Sequence, residues 1–354
     1  MTQMTFDEAL QSAIREEMRS DPRVFVMGQD LELGMWGAEA RREFDSRRVR
    51  NTPICEAGIV GAGIGAALTG LRPILELGCS TFLYSAMDQI VNQAAKSRYM
   101  FGGQASVPLV IRVPVVYNCS MAAHHSDRPW GLFAQAPGLK IVAPATAYDA
   151  KGLMKSAIRD GNPVLCFEDS TLSEQIGEVP EGDFSIPIGQ ADVKCEGTDV
   201  TIVAIAGAVS RSIAAARKLR EEGVFAEVVD LRTVVPLDRK TIIDSVAKTG
   251  LLVVVDPAPG MCGLAAEVVC TVAESILDRI KAPVVRLTAP HVPVPFSPKL
   301  EQLLYPTVDG ILAAVRGLRA KVLLERSPSK RHDVDLVIPA HSEAPLLKSI
   351  KMSP

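Results

Sequence analysis

Residues 52–73 read TPICEAGIVGAGIGAALTGLRP, the densest local signal in the chain. The spacing predicts a helix over residues 57–69, on which Gly58, Gly61, Ala62, Gly65 and Ala66 leave almost no side-chain bulk on one side. Each glycine costs a helix up to about 1 kcal/mol relative to alanine. Several together call for a compensating contact, such as close approach of another backbone or of an equivalent helix in a second chain. Glu56 stands at the head of this helix among Ile54, Cys55 and Ala57. Desolvation there would raise its pKa, while the helix dipole would favour the anion. An exposed capping glutamate is the plainer account of these residues taken alone. A rival reading exists: Gly61, Gly63 and Ala66 fit G-x-G-x-x-G/A, with Glu76 in the strand that follows, so a nicotinamide- or flavin-binding turn is an alternative. Against it, residues 52–55 make no convincing buried strand, and the fingerprint must sit directly after one.

Outward from this helix, strands and helices alternate. Strands are predicted over residues 24–27, 73–77, 109–113, 140–143 and 164–168, and helices near 38–44, 84–100 and 148–159. Such alternation implies a mainly parallel sheet with helices on both faces. Residues 173–197 carry Pro180, Pro187, several glycines and many acids, and read as a linker. The alternation then restarts, with strands at 200–206, 226–231, 251–255 and 284–287 and helices at 209–222, 240–248 and 264–280. The expectation is two α/β domains, residues 1–178 and 198–320, joined by a linker at 179–197 and followed by a tail at 321–354 rich in Ser, Pro, Lys, Arg and His.

A net charge of −3 gives no electrostatic case for nucleic acid. Apolar runs such as residues 251–255 are of core-strand length, far short of the roughly 20 residues a membrane helix needs. At the N-terminus, Thr5 and Glu8 have capping-box spacing, and Leu10, Ile14 and Met18 recur every four residues, a folded helix in place of a signal sequence. Seven scattered cysteines with no Cys-x-x-Cys pair predict reduced thiols in a cytoplasmic protein.

The stretch TPICEAGIVGAGIGAALTGLRPILE resembles the TPI-x-E-x-G-x-x-G-x-x-x-GAA-x-x-GLRP-x-x-E segment of the beta subunit of pyruvate dehydrogenase, in the transketolase-like superfamily. The likeness continues through FLYSAMDQIVNQAAKSRYMFGGQASVPLVIR (82–112) and PGLKIVAPATAYDAKGLMKSAIRDGNPVLCFE (137–168), and more loosely through VVDLRTVVPLD and APHVPVPFSP. The resemblance implies a pyrimidine-type domain followed by a transketolase C-terminal-like domain. It also implies the beta-type half of a thiamine diphosphate site, shared with an alpha-type subunit in an α2β2 heterotetramer. The activity implied is decarboxylation of a small 2-oxo acid, with the acyl group passed to a lipoyl acyltransferase component. Glu56 falls on the glutamate that hydrogen-bonds the cofactor's aminopyrimidine, promoting the tautomer that takes up the thiazolium proton. Phe82 falls on the aromatic residue packed against that ring, Ile54 on a neighbouring contact, and His125 on the histidine at the active-site entrance. In some members a potassium ion is held by backbone carbonyls, here those of Leu109, Ala157, Ile158, Asp160 and Asn162.

The chain departs from the family's Gln-His-Ser-Gln motif, reading His124-His125-Ser126-Asp127, and the preceding residues 115–120 (VVYNCS) lack the family's glycines. An altered substrate or acceptor pocket is the expectation, so pyruvate itself is not implied. Adjacent histidines diverge, which argues against a metal pair. The Gly-Asp-Gly and Asn-Asn elements that hold the diphosphate through Mg²⁺ are missing, so a partner chain must bring that ion. Alternatives within the fold are a split transketolase-like or an acetoin-cleaving subunit. Outside it stand the dinucleotide reading and a non-catalytic scaffolding paralogue.

Overall fold

A computed structural model describes residues 1–31, 38–117 and 119–325. The chain divides into two compact units. The first comprises Met1–Asp192, Ile205–Gly207 and Asp230–Asp238, and the second Val193–Ala204, Ala208–Val229 and the chain from Arg239 onward.

In the first unit the strands are β1 (Thr2–Thr5), β2 (Val24–Gly28), β3 (Val49–Asn51), β4 (Arg72–Glu76), β5 (Val110–Val115), β6 (Lys140–Val142), β7 (Val164–Asp169) and β8 (Ile176–Val179). The helices are α1 (Phe6–Ser20), α2 (Ala38–Glu43), α3 (Glu56–Leu68), α4 (Ala95–Met100), α5 (Trp130–Ala134) and α6 (Ala147–Arg159). Seven strands form one sheet, in the order Thr233–Val235, β6, β7, β5, β4, β2, β3. All its pairings are parallel except that of Thr233–Val235 with β6. β2, β5 and β7 are buried along their whole length, as continuous apolar runs in a sheet covered on both faces require.

α1 begins as expected. Glu8 N donates to Thr5 Oγ1 at 3.1 Å and Thr5 N to Glu8 Oε2 at 2.7 Å, closing the capping box. Its stripe of Phe6, Leu10, Ile14 and Met18 is buried against α6 residues Ala150, Leu153, Met154 and Ala157. Each such side chain contributes roughly 1.5–3 kcal/mol of burial.

In the first unit's sheet and helices, three details depart from the sequence reading. The helix expected over 84–100 is instead a 3₁₀ segment (Ser80–Ala86), a π-helical turn (Gln89–Ala94) and then α4. At its start the hydroxyls of Ser80 and Thr81 bond to the Asp127 and His124 carbonyls of a neighbouring loop. Within the span read as a linker, β8 pairs antiparallel with β1, an attachment that four residues each of mixed character did not betray. The strand Thr233–Val235 returns to the first unit, carried by Arg232, whose guanidinium binds Asp149 (Nε to Oδ1, 2.7 Å) and Asp192 (3.0 Å).

In the second unit a five-stranded sheet contains β9 (Asp192–Cys195), β10 (Val200–Ala204), β11 (Ala226–Asp230), β13 (Leu252–Pro259) and β14 (Val285–Ala289), β12 being Thr233–Val235. Their order is β14, β13, β10, β11, β9, with β10–β13 and β13–β14 parallel. Its helices include α7 (Gly207–Glu221), α8 (Arg239–Thr249), α9 (Leu264–Ile276), α10 (Pro298–Glu301) and α11 (Val308–Glu325). α9 stops four residues before the expected 280, giving way to a 3₁₀ turn at Leu277–Arg279. The expected tail begins inside α11, and residues 326–354 lie outside the described residues. No described helix is long and apolar enough to cross a membrane.

Candidate active site

Parallel α/β sheets expose loops beyond the carboxyl ends of their strands, and ligands bind there. Three such loops matter in the first unit: residues 52–55 after β3, 77–82 after β4 and 119–129 following β5.

Glu56 is the first residue of α3, and its carboxylate accepts from Ser85 Oγ at 3.0 Å. The same hydroxyl lies 2.9 Å from the Phe82 carbonyl. Side chains three apart eclipse in a 3₁₀ helix, so Phe82 and Ser85 share one face of the Ser80–Ala86 segment. The Phe82 ring meets the His125 imidazole edge to face, centroids 5.5 Å apart at 70°. Nδ1 of His125 lies 3.1 Å from the Met121 carbonyl oxygen. A carbonyl only accepts, so Nδ1 carries the proton and Nε2 is left for the site. Glu56, Phe82 and His125 are therefore brought together, each half-buried. Ile54, two residues before Glu56, is 70% exposed in this chain alone.

On three adjacent strands, β4, β5 and β7, Arg112 lies fully buried between two glutamates. Its Nε and Nη2 donate to Glu168 Oε1 and Oε2 at 2.8 and 2.7 Å, and Nη1 lies 3.0 Å from Glu76 Oε2. Burial raises the Glu76 carboxyl to about 7, with Glu168 adding to the rise and Arg112 opposing it. Glu76 also accepts from Gly78 N at 3.4 Å, at the root of the loop that carries Phe82. The sequence reading placed Glu76 in a strand but missed this triad. Its trace is the register: Glu76 pairs with Arg112, and Glu168 lies two residues beyond Arg112's partner Cys166 on the same face.

The five carbonyl residues gather elsewhere, near the amino ends of β5 and β7 and the end of α6. The Leu109 carbonyl accepts from Val164 N (2.8 Å), and that of Ala157 from Asp160 N (3.3 Å). Those of Ile158 and Asp160 both accept from Arg72 Nη1, at 2.8 and 3.0 Å. Asp160 Oδ1 accepts from Asn162 N at 2.8 Å. Burial works to raise the Asp160 carboxyl, but hydrogen bonds from Lys140 and Asn162 outweigh it and hold it low.

The dinucleotide reading fails on geometry. α3 begins at Glu56, so Gly61 and Gly63 lie within the helix, their amides committed to its ladder instead of a phosphate-cradling turn. Gly63 serves packing: a Cβ there would come within 2.7 Å of Leu75. Gly58, Gly61, Ala62 and Gly65 face outward, as expected of the small-residue side. For thiamine diphosphate, the half-buried carboxylate beside an aromatic face fits the aminopyrimidine half. Among the described residues no group of three or more His, Cys, Asp or Glu side chains could hold a metal ion.

Residues 2–174 match the family model for the transketolase pyrimidine binding domain, and residues 189–311 that for the transketolase C-terminal domain. In chain order these two matches give the class of fold. A split-gene transketolase, described as an inactive β4 tetramer, superposes with a TM-score of 0.75 at 24% identity, covering 90% of this chain and 98% of that one. That likeness speaks for the fold alone. The beta subunit of acetoin:2,6-dichlorophenolindophenol oxidoreductase of Bacillus subtilis (strain 168) is 43% identical over 326 residues, 88% of this chain and 95% of the relative. From the same organism, the 2-oxoisovalerate dehydrogenase subunit beta is 42% identical (90% of this chain, 99% of the relative). Its pyruvate dehydrogenase E1 component subunit beta is also 42% identical (89% and 98%). The chain belongs to the family of transketolase-like beta subunits of thiamine-diphosphate-dependent dehydrogenases.

Proposed function

We propose that the chain is the beta subunit of a thiamine-diphosphate-dependent 2-oxo-acid dehydrogenase. It decarboxylates a small 2-oxo acid with an alpha-type partner in an α2β2 assembly and passes the acyl group to a lipoyl acyltransferase. The observation that carries this reading is the chain of contacts that joins Glu56, at the head of α3, through Ser85 to Phe82, and the Phe82 ring to His125. When bound, thiamine diphosphate supplies the nucleophilic carbon and the electron sink for loss of carbon dioxide. Glu56 would hold and exchange a proton at the aminopyrimidine, and Ser85 fixes one of its carboxylate oxygens. Phe82 would provide a wall for that ring, Ile54 would line its edge, and His125, with Nδ1 held by the Met121 carbonyl, would offer Nε2 to the substrate or lipoyl arm.

The partner supplies the metal-held diphosphate half. Its docking is supported by the outward small-residue side of α3 and by Ile54, Tyr99 and Met100, which are 70%, 90% and 72% exposed. An open groove of about 790 Å³ beside Arg98, Tyr99 and Gly138 adds to that surface. A potassium ion would share the carbonyls of Leu109, Ala157, Ile158, Asp160 and Asn162, of which those of Ile158 and Asp160 already accept from Arg72 Nη1. All seven cysteines are free, which supports a cytoplasmic location.

Co-expression with an alpha-type partner, followed by decarboxylation assays with thiamine diphosphate and an artificial electron acceptor, tests this reading. Activity should require both chains and fall on the order of a hundredfold or more in Glu56→Gln. Full activity in that variant sinks the role of Glu56. Turnover of acetoin with none of pyruvate or branched 2-oxo acids sinks the substrate class.

A further inference from the structure

Eclipsing in the Ser80–Ala86 segment creates a second face beside that of Phe82 and Ser85: Thr81 and Tyr84 also lie three apart. That face meets the loop that departs from the family motif. Thr81 Oγ1 donates to the His124 carbonyl, Tyr84 Oη donates to Asp127 Oδ2 at 3.0 Å, and Ser80 Oγ donates to the Asp127 carbonyl at 2.6 Å. Three hydrogen bonds thus tie residues 124 and 127, on either side of His125, to the turn whose Phe82 touches the imidazole.

The loop needs such ties. Ser120 and Ala122 have φ of 55° and 56°, left-handed conformations that non-glycine residues hold only at a cost of about 1 kcal/mol or more each. Contacts from within the loop also converge on it: Ser126 Oγ donates to the Ala122 carbonyl at 2.8 Å, and Arg128 Nη1 to the Ser126 carbonyl at 3.1 Å. These fix the loop's own turn, whereas the bonds from residues 80, 81 and 84 tie it to the segment that carries Phe82. Among them, the Tyr84–Asp127 bond joins two side chains, so sequence can alter it without disturbing the backbone. Burial, and then the Asp127 carboxylate, push the Tyr84 phenol above its ordinary value, so it remains a donor throughout the neutral range.

We propose that Tyr84 and Asp127 are positioning residues that clamp the His124–Asp127 loop and thereby set the place of the His125 imidazole over the site. The proposal rests on the reading of this site as a thiamine-dependent one for its catalytic consequence, though not for the clamp itself. An acceptor at residue 127 is what the clamp requires, so Asp127→Asn keeps it, while Asp127→Ala and Tyr84→Phe remove it.

The test uses the full chain in complex with its alpha-type partner and two readouts. In the first, hydrogen exchange over residues 121–128 should accelerate in Tyr84→Phe and Asp127→Ala and stay near wild type in Asp127→Asn. In the second, kcat should fall about tenfold in Tyr84→Phe and in Asp127→Ala, with thiamine diphosphate affinity unchanged, and the double variant should be no slower than either single one. Recovery in Asp127→Asn distinguishes an acceptor from a charge. Unaltered exchange in both disruptive variants overturns the clamp, whatever the activity. Multiplicative losses, or an Asp127→Asn as slow as Asp127→Ala, overturn it as a positioning pair. Failure of the functional reading shows separately, as an active Glu56→Gln.

Discussion

Glu76 is the residue whose surroundings reach furthest into solution behaviour. Its carboxyl titrates at about 7 in the folded chain against an ordinary 4.5, because burial penalises the anion more than Arg112 relieves it. The folded state therefore holds an extra proton between those values. This group's contribution to stability is complete below about 4.5 and is lost as pH rises through 7. Glu76→Gln keeps the shape and deletes the titration. Urea midpoints for both proteins should show wild type losing ground to the variant between about pH 5 and about pH 8, by on the order of 1–3 kcal/mol. A constant gap across that range would rule out a titrating Glu76. The place of Glu56 at the head of α3 was legible because a whole motif surrounds it. The Glu76–Arg112–Glu168 triad was not, since charges in separate apolar strands signal a partnership only once register is known. Ser85 escaped because its partnership depends on a three-residue winding, where the helix expected from residue 84 has a period of 3.6.

At the scale of the element, α3 carries the clearest conflict between local propensity and fold. Around Gly65 nothing lies within 4 Å of where a Cβ would stand. Gly65→Ala should therefore stabilise the isolated chain by up to about 1 kcal/mol, read as a higher Tm. Against a partner packed on that face the added methyl is an intrusion of about 1–3 kcal/mol, or tenfold and more in Kd by titration calorimetry. A stabilised chain with unchanged association would show that the partner does not use this face. The helix itself and its small side were readable from composition, as were α1's cap and stripe, because each rests on contacts three or four residues apart. β1 with β8, and the antiparallel edge strand, rest on contacts spanning most of the first unit, and four-residue segments hold no period from which to infer them.

At the scale of the molecule, the path of the chain counts for more than its halves. It passes between units at 192/193, 204/205, 207/208, 229/230 and 238/239. Ile205–Gly207 brings the Gly207 amide to Asp169 at 3.1 Å, and Asp230–Asp238 brings Arg232 and the edge strand. This bears on how such chains can be cut and spliced. A fragment ending at Asp192 retains every loop of the candidate site yet leaves β6 as a raw edge and Asp149 without its guanidinium, so it should precipitate on expression. Grafting residues 230–238 onto it through a flexible spacer should restore a soluble, cooperatively melting product. A bare fragment that stays monodisperse would refute this. Chimaeras with relatives joined at the apparent linker inherit the same fault, because one parent's sheet is then finished by the other parent's strand.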